Sequence, residues 1–228
     1  MLIRPNIFFP YIDTEPRRVA SMVRTWDDRF RDGDYPTDVT ASPILAGYLD
    51  AIPDGRALDI ATGTGRNAVF LADHGYEVDA LDASRPGLEL ARDRANDREV
   101  ANRIEWIQGD VQTYTFPAAT YDLVTISFFR CLDQLTDIKE SIREGGYLFV
   151  EHHVRTTRSV RGGASDARFR LGVNELMRSC LDLTVIYYDE GHADPTDEHD
   201  RATARLLARR SQGTRQSHPQ HLTVGNGS

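Results

Sequence analysis

Leu58-Asp59-Ile60-Ala61-Thr62-Gly63-Thr64-Gly65-Arg66-Asn67-Ala68 is the stretch that decides the fold. An apolar strand runs into a turn with two glycines, and the turn opens a helix. In an open parallel sheet, ligands gather beyond the carboxyl ends of the strands, and this turn lies at such an end. Glycine suits the place because a side chain would block an approaching nucleotide and because the backbone there can require positive φ. Taken alone, the pattern also fits a plain strand-to-helix turn.

The same rhythm continues downstream. Residues 56–61 form the first strand and 67–74 a helix closed by Gly75. Strand 76–81, helix 86–95, strand 103–108, strand 121–127 and helix 132–142 follow. A Gly145-Gly146 turn then leads into strand 147–152. Strands separated by helix-length segments imply right-handed crossovers and a mainly parallel α/β sheet covered on both faces. Upstream, Val19, Met22, Val23, Trp26 and Phe30 recur at helical spacing over 16–30. Ser42-Pro43 opens a second helix with Ile44, Leu45, Tyr48, Leu49 and Ile52 on its inner side. Downstream come an arginine- and glycine-containing loop at 154–170, a short helix at 174–179 and a β-prone strand at 183–188. Residues 201–210 are ambiguous: their Ala, Arg and Leu favour helix, whereas Ala202, Ala204, Leu206 and Ala208 alternate as in a strand. The expected organisation is an N-terminal helix and lid segment at 1–41, one catalytic domain at 42–210 and a polar, disordered tail at 211–228.

Composition narrows the function. The 228 residues suffice for one α/β domain, and 40% hydrophobic with 27% charged residues is ordinary for a globular chain. No apolar run reaches the roughly 18–20 residues of a membrane span. Pro5 and Pro10 interrupt the apolar start, so no signal peptide or anchor is expected there. Cys131 and Cys180 lie far apart and outside any metal-ligand spacing, which points to a reducing, cytoplasmic compartment and no metal. The net charge of −8 argues against nucleic-acid partners. The 24 aspartates against 11 glutamates, with Lys139 the only lysine, fit either a salt-adapted surface or a codon bias toward GC.

Two more acids support a nucleotide site. Asp82 ends the second strand about 20 residues beyond the glycines, and an acceptor-only carboxylate there suits a pair of ribose hydroxyls. Asp110 follows the third strand, where it could accept from an adenine amino group. Either could instead cap a helix, but three signals at three successive strand ends converge on one crevice. Gly63-x-Gly65-x-x-Ala68 also fits the fingerprint of a nicotinamide dehydrogenase. Two features weigh against that: two helices precede the first strand, and Asp59 stands where dinucleotide sites keep apolar residues. Asp59 is placed to orient the turn or to reach a cationic amino group.

With Trp26-Asp27-Asp28-Arg29-Phe30, Leu58 to Ala68 and Tyr121-Asp122-Leu123-Val124, the chain resembles class I S-adenosylmethionine methyltransferases. Its nearest branch is the tellurite-resistance and thiopurine-methyltransferase-like group. The resemblance implies a Rossmann-like, seven-stranded, mostly parallel sheet with an antiparallel last strand, so 201–210 becomes that strand. It implies S-adenosyl-L-methionine as cofactor. Gly63 and Gly65 would pass its methionine and ribose, and Arg66 would pair the methionyl carboxylate. Asp82 would hold the ribose, Asp110 and Val111 would bracket the adenine, and Ser127 and Phe128 would lie on the sulfonium side. Trp26 and Arg29 would close over the cofactor, unless Trp26 is a core aromatic. The family often has Cys at Thr62.

Methyl transfer from a sulfonium needs positioning more than acid–base help, and soft thiolates or metalloid oxyanions require little base. For a harder acceptor, Arg130 after the fourth strand and His152 or His153 after the fifth are the catalytic candidates. The expected acceptor is a small molecule, anionic or thiol-bearing, held between Arg130, the two histidines and loop 154–170. A catalytically silent cofactor-binding protein and a homodimer are left open. The salt-adapted account of the surface predicts a melting temperature that rises from low to molar KCl as acidic self-repulsion is screened. A flat melting temperature leaves codon bias as the better account.

Overall fold

The computed structural model describes residues 25–36, 40–157, 167–192, 201–211, 213 and 218–220. Its strands are β1 (Arg56–Ile60), β2 (Glu77–Asp82), β3 (Ile104–Gln108), β4 (Tyr121–Ser127), β5 (Ile142–His153), β6 (Thr184–His192) and β7 (Ala202–Arg209). They form one seven-stranded sheet in the order β3-β2-β1-β4-β5-β7-β6. Pairing is parallel from β3 through β5, and β7 runs antiparallel to both of its neighbours. The expected Rossmann-like sheet with an antiparallel last strand is therefore present.

The helices are α1 (Trp26–Arg31), α2 (Pro43–Tyr48), α3 (Arg66–Asp73), α4 (Arg85–Asp97), α5 (Leu135–Ser141) and α6 (Glu175–Arg178). Alternation along each strand sends successive side chains to opposite faces, and two apolar clusters result. Ala57, Val78, Leu123, Phe149 and Leu207 pack against Leu45 of α2 and Ala68 and Leu71 of α3 on one face. Leu58, Ile60, Val124, Ile126, Leu148, Val150 and Leu206 pack against Leu135 and Ile138 of α5 and Leu176 of α6 on the other.

The turn between β1 and α3 sits at the carboxyl edge of this sheet. Thr62 N–H donates to Leu81 O at 3.1 Å, and Gly65 N–H closes the turn onto Thr62 O at 2.8 Å. Gly65 caps α3 with φ +80°, and a Cβ there would lie 2.9 Å from Ala91 Cβ of α4. Both the left-handed backbone and the close approach of α4 therefore require glycine. Arg94 of α4 clamps the same turn by donating to Thr64 O at 2.5 Å.

Two expectations change. The Gly145-Gly146 pair is not a turn but part of β5, which begins at Ile142 rather than 147. The pair sits at a bulge, where pairing jumps from Tyr121–Ile142 to Leu123–Tyr147 and Gly145 takes φ +81°; Gly145 N–H donates to Arg210 O and Gly146 O accepts from Arg210 N–H, just beyond β7. β6 runs on to His192, four residues past its expected end, because β7 continues alongside it. Ala202–Arg209 form the strand that the resemblance implied for 201–210, against their helix-forming composition, since β5 and β6 satisfy their backbone on both sides. Of the helix expected over 16–30, the part before residue 25 lies outside the described residues, as do 158–166 of loop 154–170 and most of the tail.

Ala61 follows β1 at φ +55°, a left-handed conformation that disfavours a Cβ. Ala61→Gly is expected to raise stability by about 1 kcal/mol, measured by urea unfolding. A loss of stability would show that the methyl's packing on the core outweighs its backbone strain.

Candidate active site

The turn owes its shape to Asp59, which is 2% exposed. Its carboxylate accepts from Thr62 Oγ1 at 2.6 Å, Thr125 Oγ1 at 2.7 Å, Ala68 N–H at 3.2 Å and Asn67 Nδ2 at 3.4 Å. Burial pushes its pKa up, and the bonds from Thr62, Thr125 and Asn67 pull it down. Of the two roles open to it, Asp59 fills the first: it orients the turn from beneath.

Asp82 stands at the rim. Its Oδ2 accepts Gly63 N–H at 2.8 Å and its Oδ1 accepts Ser84 N–H at 2.7 Å, so it joins the turn to the start of α4. Burial raises its pKa while these backbone donors lower it. A carboxylate offers about four lone-pair positions, so after the backbone donors of Gly63, Ser84 and Ala83 acceptor capacity remains for a ligand hydroxyl. Phe30 of α1 lies over the turn: a Cβ at Gly63 would sit 3.6 Å from Phe30 Cζ, and one at Gly87 2.9 Å from Phe30 Cε2. Turn, α4 and Phe30 thus form a cradle lined by bare backbone. Asn67 Oδ1 is buried there without a donor, beside Ser127 Oγ, to which Asn67 Nδ2 donates at 3.0 Å. An acceptor-only rim, a glycine cradle and an orphaned acceptor fit a nucleoside that carries an amino acid.

The other expected cofactor residues are less uniform. Val111 is buried beside the end of β3, whereas Asp110 is exposed and accepts Gln112 N–H at 2.9 Å, the local turn expected of a capping aspartate. Arg66 Nη2 donates to Glu151 Oε2 at 3.0 Å and to Ser127 Oγ at 3.3 Å, so its charge is already met within the protein. Glu151 also meets Arg205, at 3.4 Å. Trp26 is not a core aromatic: it is 53% exposed, with Arg29 stacked on it. The covering aromatic is Phe30, one turn further along the same helical face.

The acceptor side is divided by strand alternation. His152 shares a face with Val150 and lines a small apolar cavity, which has room for about one water molecule, together with Ile126, Phe129, Leu171 and Leu176. His153 points to the opposite face and stacks on Phe128, with centroids 4.6 Å apart. Of the two histidines only His152 lines this cavity with Arg130, and the two rings lie 6.0 Å apart. Arg130 is held by Glu175, Nη2 to Oε1 at 3.1 Å. The backbone bond from Gly172 and then the charge and hydrogen bond of Arg130 keep the Glu175 pKa low, against the upward push of burial. Glu151 and Glu175 escaped the sequence analysis, although a glutamate closing the apolar run Tyr147 to Val150 was a visible signal. Among the described residues no group of His, Cys, Asp and Glu is placed to hold a metal, and no helix is long and apolar enough to cross a membrane.

A dinucleotide-like sheet with a helix laid over a glycine turn and an acid at the second strand end defines a nucleotide-binding class of α/β fold. Residues 57–146 match the family model described as a methyltransferase domain. The cypemycin N-terminal methyltransferase of Streptomyces sp is 31% identical over 173 residues, covering 68% of this chain and 69% of that protein. A ubiquinone/menaquinone biosynthesis C-methyltransferase UbiE from Ruegeria sp. (strain TM1040) is 36% identical over 114 residues, 46% of this chain. The chain spans about half of that relative's length, 45%. The crystal structure of TehB from Haemophilus influenzae superposes with a TM-score of 0.64 at 21% identity, over 81% of this chain and 67% of that one, a likeness of fold. The chain belongs to the class I S-adenosylmethionine-dependent methyltransferase family. That membership decides against the nicotinamide dehydrogenase.

Burial, followed by the neighbouring His152, Arg170 and Arg201, pushes the His153 pKa down to about 3. Burial pushes His152 down as well. Below about pH 6.5 the unfolded chain takes up protons that the folded histidines refuse. Stability therefore falls as pH drops, by up to about 1.4 kcal/mol per pH unit per histidine. In His153→Gln the loss between pH 7 and pH 5, read by urea unfolding, is expected to shrink by about 2 kcal/mol. An unchanged loss would show that His153 does not drive the acid response.

Proposed function

We propose that this protein transfers the methyl group of S-adenosyl-L-methionine to a small-molecule acceptor seated between the ends of β4 and β5. The observation that carries this is a single carboxyl edge of the sheet. It presents the Gly63–Asp82 cradle on one side of β4 and the cavity of Arg130 and His152 on the other.

Gly63 and Gly65 would let the cofactor lie against backbone, with Asp82 accepting from the ribose and Val111 walling the adenine beside Asp110. Ser127 and Arg66, linked to each other and to Glu151, would face the methionyl end. Asp59 acts beneath the cofactor by holding the turn. The bound cofactor supplies an already activated methyl group. The protein's part is to hold an acceptor in line and to keep water out.

Family membership leaves the acceptor open, since the relatives are named for unlike acceptors, one an N-terminus and the other a carbon centre in quinone biosynthesis. A thiolate or a reduced metalloid oxyanion attacks without a base, whereas an oxygen acceptor needs one. The apolar wall around His152 favours an acceptor that enters uncharged.

Calorimetry is expected to show S-adenosylhomocysteine binding. Asp82→Ala is expected to weaken it by about 1–3 kcal/mol through lost hydrogen bonds to a charged acceptor. NADH binding with no response to S-adenosylhomocysteine would refute the assignment of the cradle.

A further inference from the structure

On the face of the sheet that packs against α3, two arginines lean on one carboxylate. Glu151, near the end of β5, has 9% of its side chain exposed. Its Oε2 accepts from Arg66 Nη2 at 3.0 Å, and its Oε1 lies 3.4 Å from Arg205 Nε. Strand register fixes this meeting, because Glu151 stands opposite Ser127 of β4 and opposite Arg205 of β7. The main chain ties the same residue to the rim, since Phe128 N–H donates to Glu151 O at 2.7 Å. Among the described residues Glu151 is the one acid within ion-pair distance of Arg66, whereas Arg205 also has Asp189 at 3.7 Å.

This carboxylate adjoins the corner of the cradle. Arg66 Nη2 reaches Ser127 Oγ at 3.3 Å, and Asn67 Nδ2 donates to that same oxygen at 3.0 Å. Asn67 Oδ1 is buried and lacks a donor. Asp59 lies beneath, its oxygens taken up by four donors of the protein. Arg66 thus brings a positive charge to the place where the methionyl end would sit, and the sulfonium of the methyl donor carries another. In a half-buried site two like charges repel with little screening. An arginine is tolerated there when an acid stands beside it.

We propose that Glu151 is a positioning residue that sets the preference of the site for cationic S-adenosylmethionine over S-adenosylhomocysteine, whose sulfur is neutral. It acts through Arg66, which it holds in place and whose charge it offsets. This rests on the methyltransferase reading above. The two ligands share the adenosine and the amino acid, and they differ by one methyl group and one positive charge. Contacts to the shared parts weigh on both alike, whereas a change of charge near the sulfur separates them. One unit of charge in a half-buried site alters the binding of another by about 10-fold. The consequence is turnover, since a site that favours the cation lets the neutral product leave.

Calorimetry on the full chain with each ligand, and no acceptor present, gives the ratio of the two dissociation constants. Glu151→Gln keeps the shape and an acceptor for Arg66 but removes the negative charge. It is expected to shift the ratio about 10-fold toward S-adenosylhomocysteine. Arg66→Met removes the positive charge instead and is expected to shift the ratio about as far toward S-adenosylmethionine. That variant decides the matter should Glu151→Gln fail to fold. Combining the two substitutions is expected to return the ratio to that of the unaltered chain, although both ligands bind more weakly. Equal weakening of both ligands in Glu151→Gln would make Glu151 merely structural. An unchanged ratio in Arg66→Met would put the pair out of reach of the sulfur. Either result overturns the proposal and leaves the methyltransferase reading standing. Failure of the unaltered chain to bind either ligand would remove both.

Discussion

One buried carboxylate is the constraint on which the site depends. Asp59 accepts hydrogen bonds from the turn at Thr62, from the first residues of α3 at Asn67 and Ala68, and from Thr125 on the neighbouring strand. A carboxylate taken out of water is tolerable only when its lone pairs are met. The four donors are therefore held to one geometry, and that geometry carries Gly63 and Gly65 to the rim. The glycine cradle is in this sense the upper surface of a hydrogen-bond knot centred on a buried carboxylate.

From this knot a polar row extends across the sheet. The ladder places Ser127 opposite Glu151, Glu151 opposite Arg205, and Arg205 opposite Asp189. Arg66 joins the row from α3. Such half-buried ion pairs contribute little net stability, because desolvation offsets most of the attraction. Their consequence is geometric: the strands must keep register for the charges to meet, and the end of β4 is held against α3. Phe128, at the end of that row, adopts φ +57° and takes Arg66, Arg201 and the His153 ring around its own. Strain of this kind persists only where the surroundings over-determine it.

The opposite face of β5 is built differently. Val150 and His152 look into an apolar cavity, while Glu151 and His153, one residue along, belong to the polar row. The strand's two-residue period therefore separates the charged machinery from the dry pocket, although their side chains are adjacent in sequence.

The sequence by itself determined the alternation of strands and helices, the edge on which the site lies and the residues of its glycine turn. These follow from periodicity and turn chemistry, which act over a few residues. The places of Asp59, Asp82 and Val111, in or just past the carboxyl ends of three strands, were legible for the same reason. Tertiary structure alone decided that Gly145 and Gly146 continue a strand and that residues 202–209 enter the sheet against their composition. It also placed Phe30 rather than Trp26 over the turn, paired Arg66 with Glu151 and Arg130 with Glu175, and put the two histidines on opposite faces. Each of these outcomes joins residues distant in the chain. Their partners were selected by strand register and by the packing of helices on the sheet, and no local propensity encodes either.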